Sequence, residues 1–157
     1  MTEDTFTWTP PAGMDKPIAS GWRTFYRHVF NTYGITPEEY RAIYLAQRGR
    51  CYICRSARGV HPDDPHGRGG RRLAVDHNHA VGYRRSAVRA LVCSGGDRTC
   101  NRILGWLNTP EAFQRGAQVL AEAPAQHVLE YMRTHPEMTD NEITGGLTDL
   151  GSLSHEG

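Results

Sequence analysis

Residues 71–79 read RRLAVDHNH and pass directly from an apolar run into an acid, an imidazole, an amide and a second imidazole. Leu73, Ala74 and Val75 suit the body of a short strand. Asp76, His77, Asn78 and His79 then stand at the strand's end, where side chains from several segments can converge. AVRALVC (residues 87–93) reads as a second strand, and the AVGYRRS between them as the turn of a hairpin. Helical patterns lie before and after this hairpin, so the fold class expected is α+β.

The cysteines bracket the hairpin. Cys51-x2-Cys54 precedes it, Cys93 ends its second strand, and Cys100 follows after SGGDRT. A Cys-x2-Cys knuckle lets two sulfurs reach one ion from a tight turn, and zinc takes four thiolates tetrahedrally. All four cysteines of the chain fall into two local pairs, which points to one zinc site with four cysteine ligands; the alternative is two separate buried thiol pairs. With four protein ligands the site has no open position, so the metal is structural.

TCNRILGWL (residues 99–107) returns to helical spacing at Ile103, Leu104 and Leu107, and Asn101 sits at its start. A helix packed across the hairpin would bring Asn101 near Asp76. A carboxylate and an amide oxygen are hard ligands suited to Mg2+, and a histidine beside them, His77, is the side-chain type that can deprotonate a water near neutral pH. Those parts match metal-assisted hydrolysis of a phosphodiester.

Outward from this centre, GWRTFYRHVFNTYG (21–34) places Trp22, Phe25, Tyr26, Val29 and Phe30 at helical spacing. TPEEYRAIYLAQRG (36–49) predicts a helix over 37–48: Thr36 is an N-cap, Pro37 fits the first position, Glu39 closes a capping box and Gly49 stops it. TPEAFQRGAQVLAEA and AQHVLEYMRTH predict two further helices separated at Pro124. The organisation expected is a loose N-terminal arm over 1–20, a zinc-stabilised unit with its preceding helices over 21–108, C-terminal helices over 109–135 and a mobile tail over 136–157.

The net charge of +1 conceals an asymmetry. Residues 41–105 carry thirteen arginines against four aspartates, while both flanks are acidic. A basic middle suits a polyanionic partner, although a GC-rich genome also favours arginine over lysine. Arg71, Arg72, Arg84, Arg85 and Arg89 surround the hairpin and are the candidates to neutralise a DNA backbone. No run of about 18 apolar residues is present, so no membrane span is expected, and the acidic, polar N-terminus lacks the pattern of a secretory signal. A cytoplasmic protein with reduced cysteines is expected.

YGITPEEYRAIYLAQRGRCYIC, LAVDHNHAVG, VRALVC and CNRILG, taken together, resemble the recombination endonuclease VII family of phage nucleases, within the wider His-Me finger (ββα-metal, HNH-like) group. The resemblance covers roughly residues 33–107. It implies a ββα-metal core in which Asp76 and Asn101 hold a divalent cation, Mg2+ or Mn2+, His77 is the general base and the four cysteines bind zinc. His79 becomes an accessory residue at the phosphate or metal. The chain departs from the family pattern in the longer Cys93–Cys100 spacing, in Ala90 where the pattern has glycine, in Ala74 where some members have histidine, and in a hairpin turn lengthened by YRRSA. The implied activity is a metal-dependent endodeoxyribonuclease of phage DNA processing, acting on branched or junction DNA, in the cytoplasm of the host cell if phage-encoded. The helices over 110–133 offer a surface for a homodimer. The alternatives are an HNH-type nicking enzyme acting on linear duplex and a zinc-stabilised DNA-binding module without catalysis.

Overall fold

The aromatic residues of the first helix set the frame into which the hairpin docks. In the computed structural model, which describes residues 6–68, 70–78, 80–95, 99–101 and 110–146, helix α1 spans Lys16–Tyr33 with Pro17 in its first turn. It ends at Gly34, whose left-handed φ of 69° lets its N–H bond back to the Phe30 carbonyl. Trp22 stacks on Tyr26 with ring centroids 5.1 Å apart, and Phe25 and Tyr40 meet edge-on at 5.1 Å. Trp22 and Tyr40 are fully buried. Residues 6–15 also pack: Phe6 meets Phe30 and Trp8 meets Tyr26. The helix thus starts inside the stretch expected to be a loose arm over 1–20, because aromatic side chains in that stretch find partners on α1.

Helix α2 (Pro37–Ala46) carries both halves of the capping box. The Glu39 N–H donates to Thr36 Oγ1 at 3.2 Å, and the Thr36 N–H donates to Glu39 Oε2 at 2.8 Å. The buried Tyr40 hydroxyl donates to the Leu73 carbonyl at 2.8 Å, so the aromatic core fixes the residue that leads into the first strand.

Strands β1 (Ala74–His77) and β2 (Val88–Val92) form one antiparallel pair, with Val75 opposite Leu91, Asp76 opposite Ala90 and His77 opposite Val88. Two residues on β1 therefore face three on β2, and Arg89 is the extra one, a β-bulge. A two-stranded sheet is marginal in water, and here other elements satisfy its second edge. The buried Gln47 at the end of α2 accepts from the Leu91 N–H at 2.8 Å and donates to the Leu91 carbonyl at 2.8 Å and to the Arg50 carbonyl at 3.0 Å. Its amide replaces a third strand at that point.

Helices α3 (Pro110–Glu122), α4 (Pro124–Thr134) and α5 (Asp140–Gly146) follow. Gln126 of α4 donates to the carbonyls of Arg85 and Val88, Arg115 of α3 donates to the Ile53 carbonyl, and Arg41 of α2 joins Asp63 to Asp140 of α5. Helix α5 lies within the tail read as mobile over 136–157. It forms there because Thr139 caps it against Glu142 and Asp140 reaches Arg41. Residues 147–157 and most of the helix expected over 99–107 lie outside the described residues. No helix among those described is long and apolar enough to cross a membrane.

Replacing Gln47 by alanine strands the Leu91 N–H in the core, while the Leu91 carbonyl keeps the Tyr52 N–H. A loss of about 2 kcal/mol is expected, read as a lower urea midpoint at unchanged slope; a change below about 0.5 kcal/mol would show that water or a repacked neighbour takes over.

Candidate functional site

The segment 49–59 folds back on itself as a narrow loop. Arg50 pairs with Arg58 across it, and the Cys51 N–H donates to the Ala57 carbonyl at 2.9 Å. Gly49 at its entrance has φ 67°, and a Cβ there would stand 2.5 Å from the Tyr44 hydroxyl, so only glycine fits. At the tip, Arg55 accepts a left-handed φ of 58° and lays its guanidinium over the Tyr52 ring at 4.7 Å. The Tyr52 N–H bonds to the Leu91 carbonyl, which docks the loop against β2.

This docking brings Cys51 and Cys54 to Cys93, at the end of β2, and to Cys100. All four sulfurs lie within 4.8 Å of one another. Four thiolates at about 2.3 Å from a zinc ion stand about 3.8 Å apart, so a slight contraction closes a tetrahedron, and the residues fit a metal ion of that kind. The polar surroundings agree. Burial raises the Cys54 thiol, but hydrogen bonds from the Ser56 hydroxyl and from the backbone of Ala57 and Ser56 outweigh it and bring the group to about 6. Burial pushes Cys51 up to about 11, against bonds from the backbone of Cys93 and Cys54. Burial first and then the neighbouring sulfurs raise Cys100 well above the ordinary thiol range. Burial thus works against ionising Cys51 and Cys100, and a bound cation would offset that.

Asp76 and His77 occupy the last two positions of β1, beside the bulge. Arg89, the bulged residue, turns onto Asp76 and donates from Nε to Oδ2 at 2.8 Å and from its terminal nitrogen to Oδ1 at 3.2 Å. His77 is 8% exposed. Tyr33 and Tyr83 flank its ring at centroid distances of 5.2 and 4.8 Å. Asn78 shapes the turn that follows: its side chain accepts from the Ala80 N–H and its carbonyl accepts from Val81 and Gly82. Asn101 is exposed, in a turn held to β2 by its N–H on the Cys93 carbonyl at 3.2 Å. The cysteine cluster therefore fixes where Asn101 leaves the hairpin. His79 lies outside the described residues.

The five candidate arginines divide. Arg71 and Arg84 are exposed. Arg72 lies over Trp22 at 4.6 Å and Phe25 at 5.5 Å. Arg85 donates to Glu39 and to the Leu129 carbonyl, tying the hairpin turn to α2 and α4. Arg89 holds Asp76. Reading the sequence missed Tyr33 and Tyr83 as neighbours of His77. For Tyr83 the only signal was an aromatic residue in a polar turn.

Comparison with known proteins adds the following. The model of a family described as recombination endonuclease VII matches residues 26–122. The chain is 41% identical over 113 residues to the Gene 59 protein of Mycobacterium phage D29, covering 71% of this chain and 56% of that protein. It is 38% identical over 113 residues to the Gene 59 protein of Mycobacterium phage L5, covering 71% and 57%. The chain thus spans a little over half the length of the curated relatives it matches. No solved structure matches it.

The cysteine geometry predicts one firmly held thiophilic metal ion per chain, counted by native mass spectrometry. Structural zinc sites contribute on the order of 10 kcal/mol, comparable with the whole stability of a domain, so Cys93→Ser is expected to lose both the ion and cooperative unfolding. A metal-free parent that unfolds cooperatively would contradict the assignment.

Proposed function

Because the chain belongs to the recombination endonuclease VII family, we propose that it is a metal-dependent DNA endonuclease. The observation that carries this reading is the placement of Asp76 and His77 together at the end of β1, with Asn101 anchored to the same hairpin through Cys93. The family match spans all three residues and the four cysteines.

In this reading the cysteines bind zinc, whose role is structural, and the hairpin is the ββ part of a ββα-metal (His-Me finger) core. Asp76 and Asn101 would hold Mg2+ or Mn2+. Their donor set, one carboxylate and one amide oxygen, fits a hard divalent cation, and such an ion stabilises charge on a phosphate and on its leaving oxygen. His77 takes a proton from water, the water oxygen forms the new bond to phosphorus in line, and the bond to the 3′ oxygen breaks. The departing oxygen is protonated from solvent, which leaves a 5′-phosphate and a 3′-hydroxyl. Tyr33 and Tyr83, which also touch each other, keep the imidazole in place. Arg89 presents the Asp76 carboxylate and must share it with the cation.

Arg71 and Arg84, both exposed, are placed to meet the DNA backbone, so affinity falls as salt rises. Arg72, Arg85 and Arg89 act from within the molecule, through the contacts described above. Branched DNA is the substrate form favoured by the family resemblance, with linear duplex as the alternative. Cutting both strands of a branch calls for two active sites, and the exposed Phe113 and Leu120 of α3 and Tyr131 of α4 are the surface a second copy would cover. Mass in solution tests that pairing.

A second reading, a zinc-stabilised DNA-binding module, draws on the grip of Arg89 on Asp76, which satisfies the carboxylate without a cation. Plasmid nicking with Mg2+ separates the two. His77→Ala is expected to keep DNA affinity and to lose nicking by at least about a hundredfold, the usual worth of a general base. Tight DNA binding by a parent that fails to nick whichever divalent ion is supplied would establish the binding module instead.

A further inference from the structure

Tyr83 stands apart from the other large apolar side chains around the hairpin. It is 68% exposed, and it is held rather than loose. Its ring packs on His77 at a centroid distance of 4.8 Å with the planes 34° apart, and it meets Tyr33 at 6.1 Å, while Tyr33 itself lies 5.2 Å from His77. The backbone beneath it is set by Gly82, at φ 89°, and by the carbonyl of Asn78, which accepts from Val81 and Gly82. The three rings thus meet pairwise in a triangle, with the buried imidazole at one corner and Tyr83 at the solvent side. Arg84, exposed, follows directly.

Bases inside a continuous duplex stack on each other and present only their edges in the grooves. An aromatic face at the reaction centre has a stacking use only for a nucleotide that has left that stack, and such stacking is tolerant of sequence because every base has a π-face. We infer that Tyr83 is a stacking platform that receives an unpaired base next to the scissile phosphate, so that it selects where the duplex is cut. With the base on the outer face of Tyr83, its own phosphate is delivered towards His77, and Arg84 is placed to meet the neighbouring backbone. The inference rests on the nuclease reading for the word scissile, but the stacking itself is testable without cleavage.

The test uses the full chain and two labelled duplexes that differ by one unpaired adenine, in buffer without added divalent ions. Fluorescence anisotropy gives Kd for the parent and for Tyr83→Ala, Tyr83→Phe and Tyr83→Leu, each with its thermal midpoint as a folding control. The parent is expected to prefer the bulged duplex. Tyr83→Ala and Tyr83→Leu are expected to reduce that preference about tenfold, and Tyr83→Phe to keep it within about twofold, since a base–aromatic stack is worth about that much. With Mg2+ added, the ratio of kcat/KM for bulged over paired DNA should fall in the same order. Three results would each overturn the inference: a parent with no preference, Tyr83→Ala weakening both DNAs equally, or Tyr83→Leu matching Tyr83→Phe. A parent that shows the binding preference yet nicks neither DNA would refute the nuclease reading while leaving the stacking role standing.

Discussion

Everything around the candidate active site hangs on four sulfur atoms brought within reach of one ion. The loop that carries Cys51 and Cys54, the end of β2 at Cys93 and the turn at Cys100 are short segments that the backbone ties together at only a few points. What joins them is the cluster itself, assisted by the Tyr52 N–H on Leu91, the Cys100 N–H on Cys93 Sγ and the Asn101 N–H on the Cys93 carbonyl. A two-stranded ribbon lacks the edges and faces to be stable alone. The cluster closes one end of it, Gln47 completes its open edge, and the aromatic core of α1 and α2 grips the residue before β1. Asp76 and His77 stand at the remaining end, where β1 leaves these supports.

That end departs from the regular pattern of a sheet. One extra residue on β2 breaks the register between Asp76 and His77. The bulge sends the Arg89 side chain to the Asp76 carboxylate, and next to it the burial of His77 against two tyrosines restricts the imidazole. A carboxylate paired with a guanidinium through two hydrogen bonds, partly shielded from water, is held in one orientation. The same pairing means that a cation approaching Asp76 meets a positive charge already there.

Much of this was legible in the sequence. The capping box of Thr36 and Glu39, the two strands, the break at Pro124 and the two local cysteine pairs all depend on spacing within a few residues, which a linear pattern records; that the two pairs meet followed from the four ligands zinc takes. Contacts across long separations were not legible. Gln47 looked like one more helical residue because its partner, Leu91, lies 44 residues away. Arg85 and Arg89 looked like members of a basic face, since their acidic partners, Glu39 and Asp76, are defined only once α2 and the bulge are in place. Tyr83 looked like part of a polar turn for the same reason. Phe6, Trp8 and α5 escaped notice because proline- and glycine-containing segments carry no periodicity even when their side chains pack.

The central claim is that one divalent cation binds between the Asp76 carboxylate and the Asn101 side-chain oxygen, with the His77 imidazole beside it. A crystal grown with Mn2+ and examined by anomalous scattering tests this directly. Two peaks are expected. One is zinc amid the four sulfurs, and the other is manganese at roughly 2 Å from both Asp76 and Asn101, with Arg89 withdrawn from at least one carboxylate oxygen. A single peak at the cysteines, with Asp76 still held by both Arg89 nitrogens at saturating Mn2+, would contradict it.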